Sequence, residues 1–163
     1  ALMKYCPLCR SDLENRPVDG VVRLACSSVE CQFVSWNNPI PVVAGLVRHE
    51  GQYLLARNAT WPQGMFSMIT GFLEQGESPE NAILRETEEE LGLKGSECKF
   101  IGHYAHPRFN QLIIAFAVEA SGDVKLNDEI AEVRMVSPEE LPTYDFGRLG
   151  LIRTIVTHWL ERA

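Results

Sequence analysis

The 163-residue sequence predicts an α/β fold, an α/β/α sandwich on a mixed sheet preceded by a small cysteine-bearing module. Three observations lead there. Strand-like apolar runs lie on both sides of a helical segment in the middle of the chain, and a second amphipathic segment closes it. Two close cysteine pairs fall within the first 31 residues. A hydrophobic content of 45% suffices for one full domain and a small appendage. The expected division is a module over residues 1–36 and a main domain over 37–163.

The elements follow in order. Residues 16–25 hold Asp19-Gly20 between strand-like stretches, the pattern of a tight hairpin. Residues 40–48 are apolar and β-branched, and a turn at Glu50-Gly51 leads into a partner strand over 52–57. Residues 58–64 read as a loop and 65–70 as a strand that delivers Gly71. Ser78 is a helix N-cap, Pro79 suits the first helical position, and Glu80 suits the positive end of the dipole. That helix is expected over 79–91 and stops at Gly92. Strands follow over 98–105, 111–119 and 132–136, then a short capped helix over 137–141. The final helix spans 147–162, with Leu149, Ile152, Ile155, Val156, Trp159 and Leu160 turned inward.

Composition narrows the function classes. No apolar run reaches transmembrane length, and the N-terminus lacks the apolar core of a signal peptide, so a cytoplasmic location is the expectation. A net charge of −7, with no lysine- or arginine-rich block, argues against a dedicated nucleic-acid or membrane surface.

The cysteines are unevenly placed. Cys6 and Cys9 form a C-x2-C pair, Cys26 and Cys31 a C-x4-C pair, and sixteen residues separate them. Two such pairs can wrap one tetrahedral ion, which makes a Zn²⁺ ribbon the expectation. Disulfides would need an oxidising compartment, and unligated core thiols would not explain the pairing. With four thiolates no coordination position stays open, so the ion would be structural. Cys98 is a packed free thiol.

Seven glutamates fall in the 23 residues from Gly71 to Leu93, accompanied by one basic residue, Arg85. On a helix, Ile83, Leu84, Thr87 and Leu91 form the core-facing stripe. Glu86, Glu89 and Glu90 cluster on one flank of it, while Glu88 points to solvent. A run of glutamates alone reads as a solvated face. Three carboxylates on one ridge beside a loop carrying Glu74 and Glu77 also form a hard-oxygen site suited to Mg²⁺ or Mn²⁺. Arg85 is placed to orient a carboxylate.

The larger pattern is specific. Gly71, five residues, Glu77, seven residues, Arg85-Glu86, then Glu89-Glu90 and Gly92-Leu93 resembles the signature box of the Nudix hydrolase family. Thr87 stands where the family prefers an aliphatic residue, and threonine can still pack. With the cysteine pairs and the Trp36-Asn37-Asn38-Pro39 junction, the chain resembles the ribbon-bearing subgroup that includes NADH and FAD pyrophosphatases. The resemblance implies the Nudix α/β/α sandwich. It also implies metal-dependent hydrolysis of a pyrophosphate in a nucleoside diphosphate linked to another moiety. Glu86 and Glu90 would be metal ligands, Glu89 a further ligand or the general base, and the Thr70 carbonyl another ligand. Glu77 and Arg85 would support them, and relatives that dimerise suggest a homodimer.

Beyond the box, Glu129 is the first choice for an extra carboxylate ligand and Glu132 the second. His103 and His106, flanking Tyr104 in an expected loop facing the site, are candidate substrate contacts. Trp61, Phe66 and Phe109 are candidates for stacking a base, and Arg57 for contacting phosphate. The SQPWPFPxS array of NADH pyrophosphatases is absent from residues 102–110. That departure counts against NADH specifically; because the ribbon accompanies dinucleotide hydrolysis among relatives, the resemblance implies a small-molecule substrate of dinucleotide type (FAD, NADH/NAD or ADP-ribose), without one being singled out. The alternatives are a Nudix enzyme acting on nucleoside triphosphates or capped RNA, and a non-catalytic nucleotide sensor.

Overall fold

The computed structural model describes residues 3–162 of the chain. It divides into two compact units, Ala1–Asn38 and Pro39–Ala163.

The first unit is a three-stranded antiparallel sheet: β1 (Leu13–Val18), β2 (Val21–Cys26) and β3 (Val34–Ser35), in that order. Asp19 and Gly20 both adopt positive φ, 50° and 78°, and pair Val18 with Val21 across a two-residue turn. Two successive left-handed residues match the twist of a tight hairpin, hence Asp-Gly. Among its described residues only Cys6, Ala25 and Cys26 are buried. Such a core cannot hold a sheet by apolar burial, so a staple is needed.

In the second unit the sheet runs β7 (Lys94–His106), β8 (Gln111–Ser121), β4 (Ile40–His49), β5 (Gln52–Asn58) and β9 (Ile130–Val136). It is mixed: β4 and β8 are parallel over ten residue pairs, and the other pairings are antiparallel. On its other edge β4 has two partners. Val47, Arg48 and His49 pair with β5, whereas residues Val42 to Gly45 pair with the short β6 (Ile69–Phe72). The expected strand over 65–70 is thus displaced. Ser67 makes an isolated bridge to Ala56 of β5, and only beyond it does the chain swing across to β4. Gly71 lies within the strand, opposite Val43, rather than after it.

Alternation along β4 feeds two cores, as a sheet covered on both faces requires. Val42, Ala44 and Leu46 join the layer that includes Ile113 and Ala115 of β8 and Ile152 and Ile155 of the C-terminal helix α2 (Gly150–Leu160). Val43 and Val47 join the layer of Ala82, Ile83 and Leu91 from α1 (Pro79–Leu91). Gly45 lets α1 approach: a β-carbon there would come within 2.7 Å of Ile83 Cδ1. The α/β/α sandwich is the one the sequence predicts.

Three local expectations need correction. The final helix begins at Gly150, because Gly147 turns with φ 57° and Phe146 is buried ahead of it. Residues 137–141 form no α-helix, although the capping exchange is made: Glu140 N–H donates to Ser137 Oγ at 3.2 Å, and Ser137 N–H to Glu140 Oε2 at 3.1 Å. Pro142 lies in the 3₁₀ turn Leu141–Thr143 that follows instead. β7 runs through His106, so His103 and His106 belong to a strand, not a loop.

Candidate active site

α1 starts and ends where its capping residues dictate. Ser78 Oγ accepts from Asn81 N–H at 3.2 Å, Pro79 opens the helix, and Gly92 closes it at φ 69° with its N–H donating to Glu88 O at 2.8 Å. This phase buries Ala82, Ile83, Thr87 and Leu91. Thr87 packs fully and donates from Oγ1 to Ile83 O at 2.7 Å, so the residue that departs from the family pattern costs the helix no unsatisfied polar group. Glu88 is exposed.

Arg85 is the hub. Its Nε and Nη2 donate to the two oxygens of Glu77 at 2.9 and 3.0 Å, a bidentate fork. Nη1 donates to Glu86 at 2.8 Å and Glu89 at 3.1 Å, and Nη2 also reaches Phe72 O at 3.2 Å. Hydrogen bonds from this guanidinium hold the Glu77 carboxyl below its usual range. Glu77 also accepts from Glu74 N–H at 3.3 Å, which ties the loop to the helix.

Gly71 explains the approach of β6. A methyl group there would overlap the Glu86 carboxylate, so only glycine lets that side chain cross the strand. Glu90 is the buried member, 6% exposed, and its carboxylate accepts no hydrogen bond among the described residues. Burial first, then repulsion from Glu86, Glu129 and Glu89, pushes its carboxyl up to about 8. Burial raises Glu86 as well, against the pull of Arg85.

Glu129 reaches this group through backbone ties no motif announces. Lys125 N–H donates to Leu91 O at 2.8 Å and Asn127 N–H to Glu90 O at 3.3 Å, so the loop before β9 is clipped to the end of α1. Asn127 Oδ1 then accepts from Glu129 N–H at 3.0 Å. Glu132, the second choice, is paired elsewhere: Arg57 Nε holds it at 2.7 Å. Arg57 also donates to Trp61 O at 3.0 Å, so it anchors a loop and does not line the cleft.

An open cleft of about 840 Å³ has Thr70, Gly71, Arg85, Glu86, Glu89, Glu90 and Glu129 on its lining, together with Val42 and Ala44 of β4. His106, Phe109 and Trp61 also border it. The His106 and Phe109 rings meet edge-on, with centroids 4.9 Å apart. Two sequence candidates lie elsewhere. His103 is exposed and does not line the cleft, since odd and even positions of β7 face opposite ways. Phe66 is 4% exposed in the α2-side core, with the Arg134 guanidinium 4.5 Å over its ring, so it has no face left for a base. The sequence reading missed Phe72, Arg108 and Arg148, all on the cleft lining. Arg148 follows a glycine just ahead of a helix, the only hint it carries; Arg108 follows a proline in a turn.

The donor set fits a hard divalent cation. A buried carboxylate with no donor, facing further carboxylates, either keeps its proton or, once ionised, calls for positive charge beside it. In the first unit the four thiols of Cys6, Cys9, Cys26 and Cys31 all lie within 4.8 Å of one another, with Cys6–Cys31 at 3.7 Å and Cys9–Cys26 at 3.4 Å. A zinc tetrahedron with bonds of about 2.3 Å has sulfur–sulfur edges near 3.8 Å. Ser28 N–H donates to Cys26 Sγ at 3.4 Å, as thiolate ligands favour.

A mixed-sheet sandwich whose helix-borne glutamates line an acidic cleft defines the Nudix architecture. The family model described as NUDIX domain matches residues 38–155, and the chain belongs to this family. It is 31% identical over 134 residues to the NAD-capped RNA hydrolase NudC of Pseudomonas putida (strain GB-1), covering 81% of this chain and 48% of that protein. It is 30% identical over 148 residues to the NAD-capped RNA hydrolase NUDT12 of Macaca fascicularis, covering 85% of this chain and 32% of that one. The chain thus spans about half the length, or less, of these curated relatives. A NUDIX hydrolase from Nitrosomonas europaea superposes with a TM-score of 0.82 at 24% identity, over 98% of this chain and 92% of that one. The NUDIX domain of Shewanella oneidensis NrtR, crystallised with ADP ribose, superposes at 0.62 with 14% identity, over 76% of this chain and 88% of that one. Both likenesses show the fold.

Proposed function

We propose that the chain hydrolyses the pyrophosphate bond of a nucleoside diphosphate linked to another moiety, with a dinucleotide coenzyme of the FAD, NADH/NAD or ADP-ribose type as substrate. The observation that carries this is the carboxylate group around buried Glu90, open to a cleft that aromatic side chains also border. The net reaction adds water across the P–O–P bridge: one P–O bond breaks, another forms, and two phosphate monoesters leave, with two protons released when both products are dianions.

Glu86, Glu90, Glu129 and the Thr70 carbonyl would hold Mg²⁺ or Mn²⁺. Bound there, the cation supplies charge neutralisation of the pyrophosphate and polarisation of water. Glu89 is the exposed member, its side chain 54% accessible, and is suited to take a proton from water and pass it to solvent. Arg85 and Glu77 position it and Glu86. His106, Phe109 and Trp61 are suited to contact the nucleoside. The ribbon over residues 1–36 would carry structural Zn²⁺ on its four cysteines, and 37–163 would form the catalytic domain. A cytoplasmic homodimer belongs to the same reading. Among the described residues no helix is long and apolar enough to cross a membrane.

The relatives' names favour a second form of the same reading. An NAD cap presents a dinucleotide pyrophosphate at an RNA end, so free coenzyme and capped RNA share the bond cleaved. The acidic balance of this chain supports the free coenzyme. The test is hydrolysis of NADH, NAD⁺, FAD, ADP-ribose and NAD-capped RNA with Mg²⁺ or Mn²⁺, with products assigned and Glu90→Gln as control. Metal-dependent release of two monophosphates supports the proposal. Turnover of nucleoside triphosphates alone, or ligand binding without turnover, would remove it.

A further inference from the structure

Acidic residues outnumber basic ones here, 22 to 15, and an arginine that lines the carboxylate-rich cleft without pairing with it is available to a ligand. Three arginines line the cleft: Arg85, Arg108 and Arg148. Arg85 is fully engaged by Glu77, Glu86, Glu89 and the Phe72 carbonyl. Arg48, Arg57 and Arg153, elsewhere in the unit, also hold carboxylates. Arg108 and Arg148 differ. Among the described residues neither makes a hydrogen bond or ion pair. The guanidinium carbon of Arg108 lies 5.4 Å from the Phe109 ring centroid.

The two reach the cleft from separate elements. Arg108 sits in the 3₁₀ turn Pro107–Phe109 between β7 and β8, and Arg148 lies between Gly147 and α2. The cleft carboxylates come instead from α1 and the loops before α1 and β9. The carboxylates thus share one set of elements, the carboxylate wall of the cleft, and Arg108, Phe109 and Arg148 join the lining from others. Cations bound at the carboxylate wall meet the charge of a pyrophosphate. Two further guanidinium forks on the lining of a cleft that also carries a ring suited to a nucleoside match a phosphate monoester, whose oxygens accept bidentate hydrogen bonds.

We propose that Arg108 and Arg148 form a subsite for a phosphate monoester carried on the substrate's ribose, remote from the pyrophosphate. The preferred substrate is then a ribose-phosphorylated dinucleotide. This rests on the hydrolase reading above. The test is kcat/KM of the full chain with Mg²⁺ on matched pairs that differ by one phosphate, NADPH against NADH and coenzyme A against 3′-dephospho-coenzyme A. Wild type, Arg108→Ala, Arg148→Ala, the double variant and the two lysine variants are compared.

The expected result is a preference of about tenfold or more for the phosphorylated member of at least one pair, expressed mainly in KM. Each alanine substitution lowers that ratio, the double variant brings it to about one, and lysine restores part of it. A wild-type ratio near one, or a ratio that survives the double substitution, overturns the subsite and leaves the hydrolase reading standing. A preference for NAD-capped RNA over every free dinucleotide, lost in the double variant, also overturns it and assigns the arginines to an RNA phosphodiester. No turnover of any of these compounds overturns the subsite, and the hydrolase reading falls with it when FAD and ADP-ribose are also left intact.

Discussion

Glu90→Gln keeps the shape of the side chain and removes its charge, which separates the stability cost of the site from its chemistry. In the metal-free protein the Glu90 carboxyl titrates at about 8, against 4.5 for an unperturbed glutamate. The folded state holds this proton more tightly than the unfolded chain. Its contribution to stability is therefore complete below the ordinary carboxylate range and is lost as pH rises through about 8. At about 1.4 kcal/mol per unit, ionising the group in the fold costs up to roughly 5 kcal/mol, and about 3 kcal/mol by pH 7 while it remains largely protonated. Water in the open cleft screens part of this, which leaves about 1–3 kcal/mol. Glutamine carries no such cost.

Thermal unfolding in EDTA at pH 7.5 should show the variant melting roughly 3–8 °C above wild type, with the difference shrinking toward zero at pH 5. Adding Mg²⁺ should reverse the order, because the wild type gains binding energy that glutamine forfeits. Hydrolysis by the variant should fall by at least about a hundredfold. A variant less stable than wild type in EDTA at pH 7.5, or an equal advantage at pH 5 and pH 8, would refute this account of the buried carboxylate.

Other expectations follow from the same geometry. Gly71→Ala places a methyl group on the Glu86 carboxylate and should lower kcat by about a hundredfold while costing about 1–3 kcal/mol of stability; kinetics and melting together check it. Arg85→Lys keeps the charge but loses the fork to Glu77 and the bridge to Glu86, so kcat should drop by about tenfold or more without rescue by added Mg²⁺. Glu129→Gln should raise the Mg²⁺ concentration needed for half-maximal activity, whereas Glu132→Gln, on the Arg57 side of the sheet, should leave it within about twofold; metal titration distinguishes them. Cys26→Ser should abolish bound zinc by elemental analysis and render residues 1–38 protease-sensitive, because that unit has almost no apolar core.

How much was readable in advance depended on whether the deciding physics was local. Helix α1 was legible to the residue because its limits rest on groups within a few positions: a serine cap, a proline and a left-handed glycine. The two hairpin turns were equally plain, since Asp19-Gly20 and Glu50-Gly51 each supply consecutive positive φ values. The strand over 65–70 was not. Met65 to Met68 has strand-like composition, yet the pairing that defines a strand belongs to Ile69–Phe72, where β4 offers an edge left open by the divergence of β5. The final helix likewise starts late because Phe146 is claimed by the core, a tertiary demand invisible to the periodicity of 147–162.

The site divides along the same line. Glu77, Arg85, Glu86, Glu89 and Glu90 were legible because one helix and one loop set their relations. The aromatic side of the cleft was only partly so, since it is assembled by sheet registration. A two-residue period decides that His106 borders the cleft while His103 faces away, and one strand extending through both residues settles it. Glu129 is the instructive intermediate. The sequence ranks it ahead of Glu132 only by its distance from the downstream strand, whereas in the structure Asn127 N–H clips the loop to the last turn of α1, and Arg57 removes Glu132 from the contest. The carboxylate that completes the cluster is thus selected by a backbone hydrogen bond and a competing ion pair. A chain with the same box but a loop that loses the clip would keep its signature and lose its fourth carboxylate.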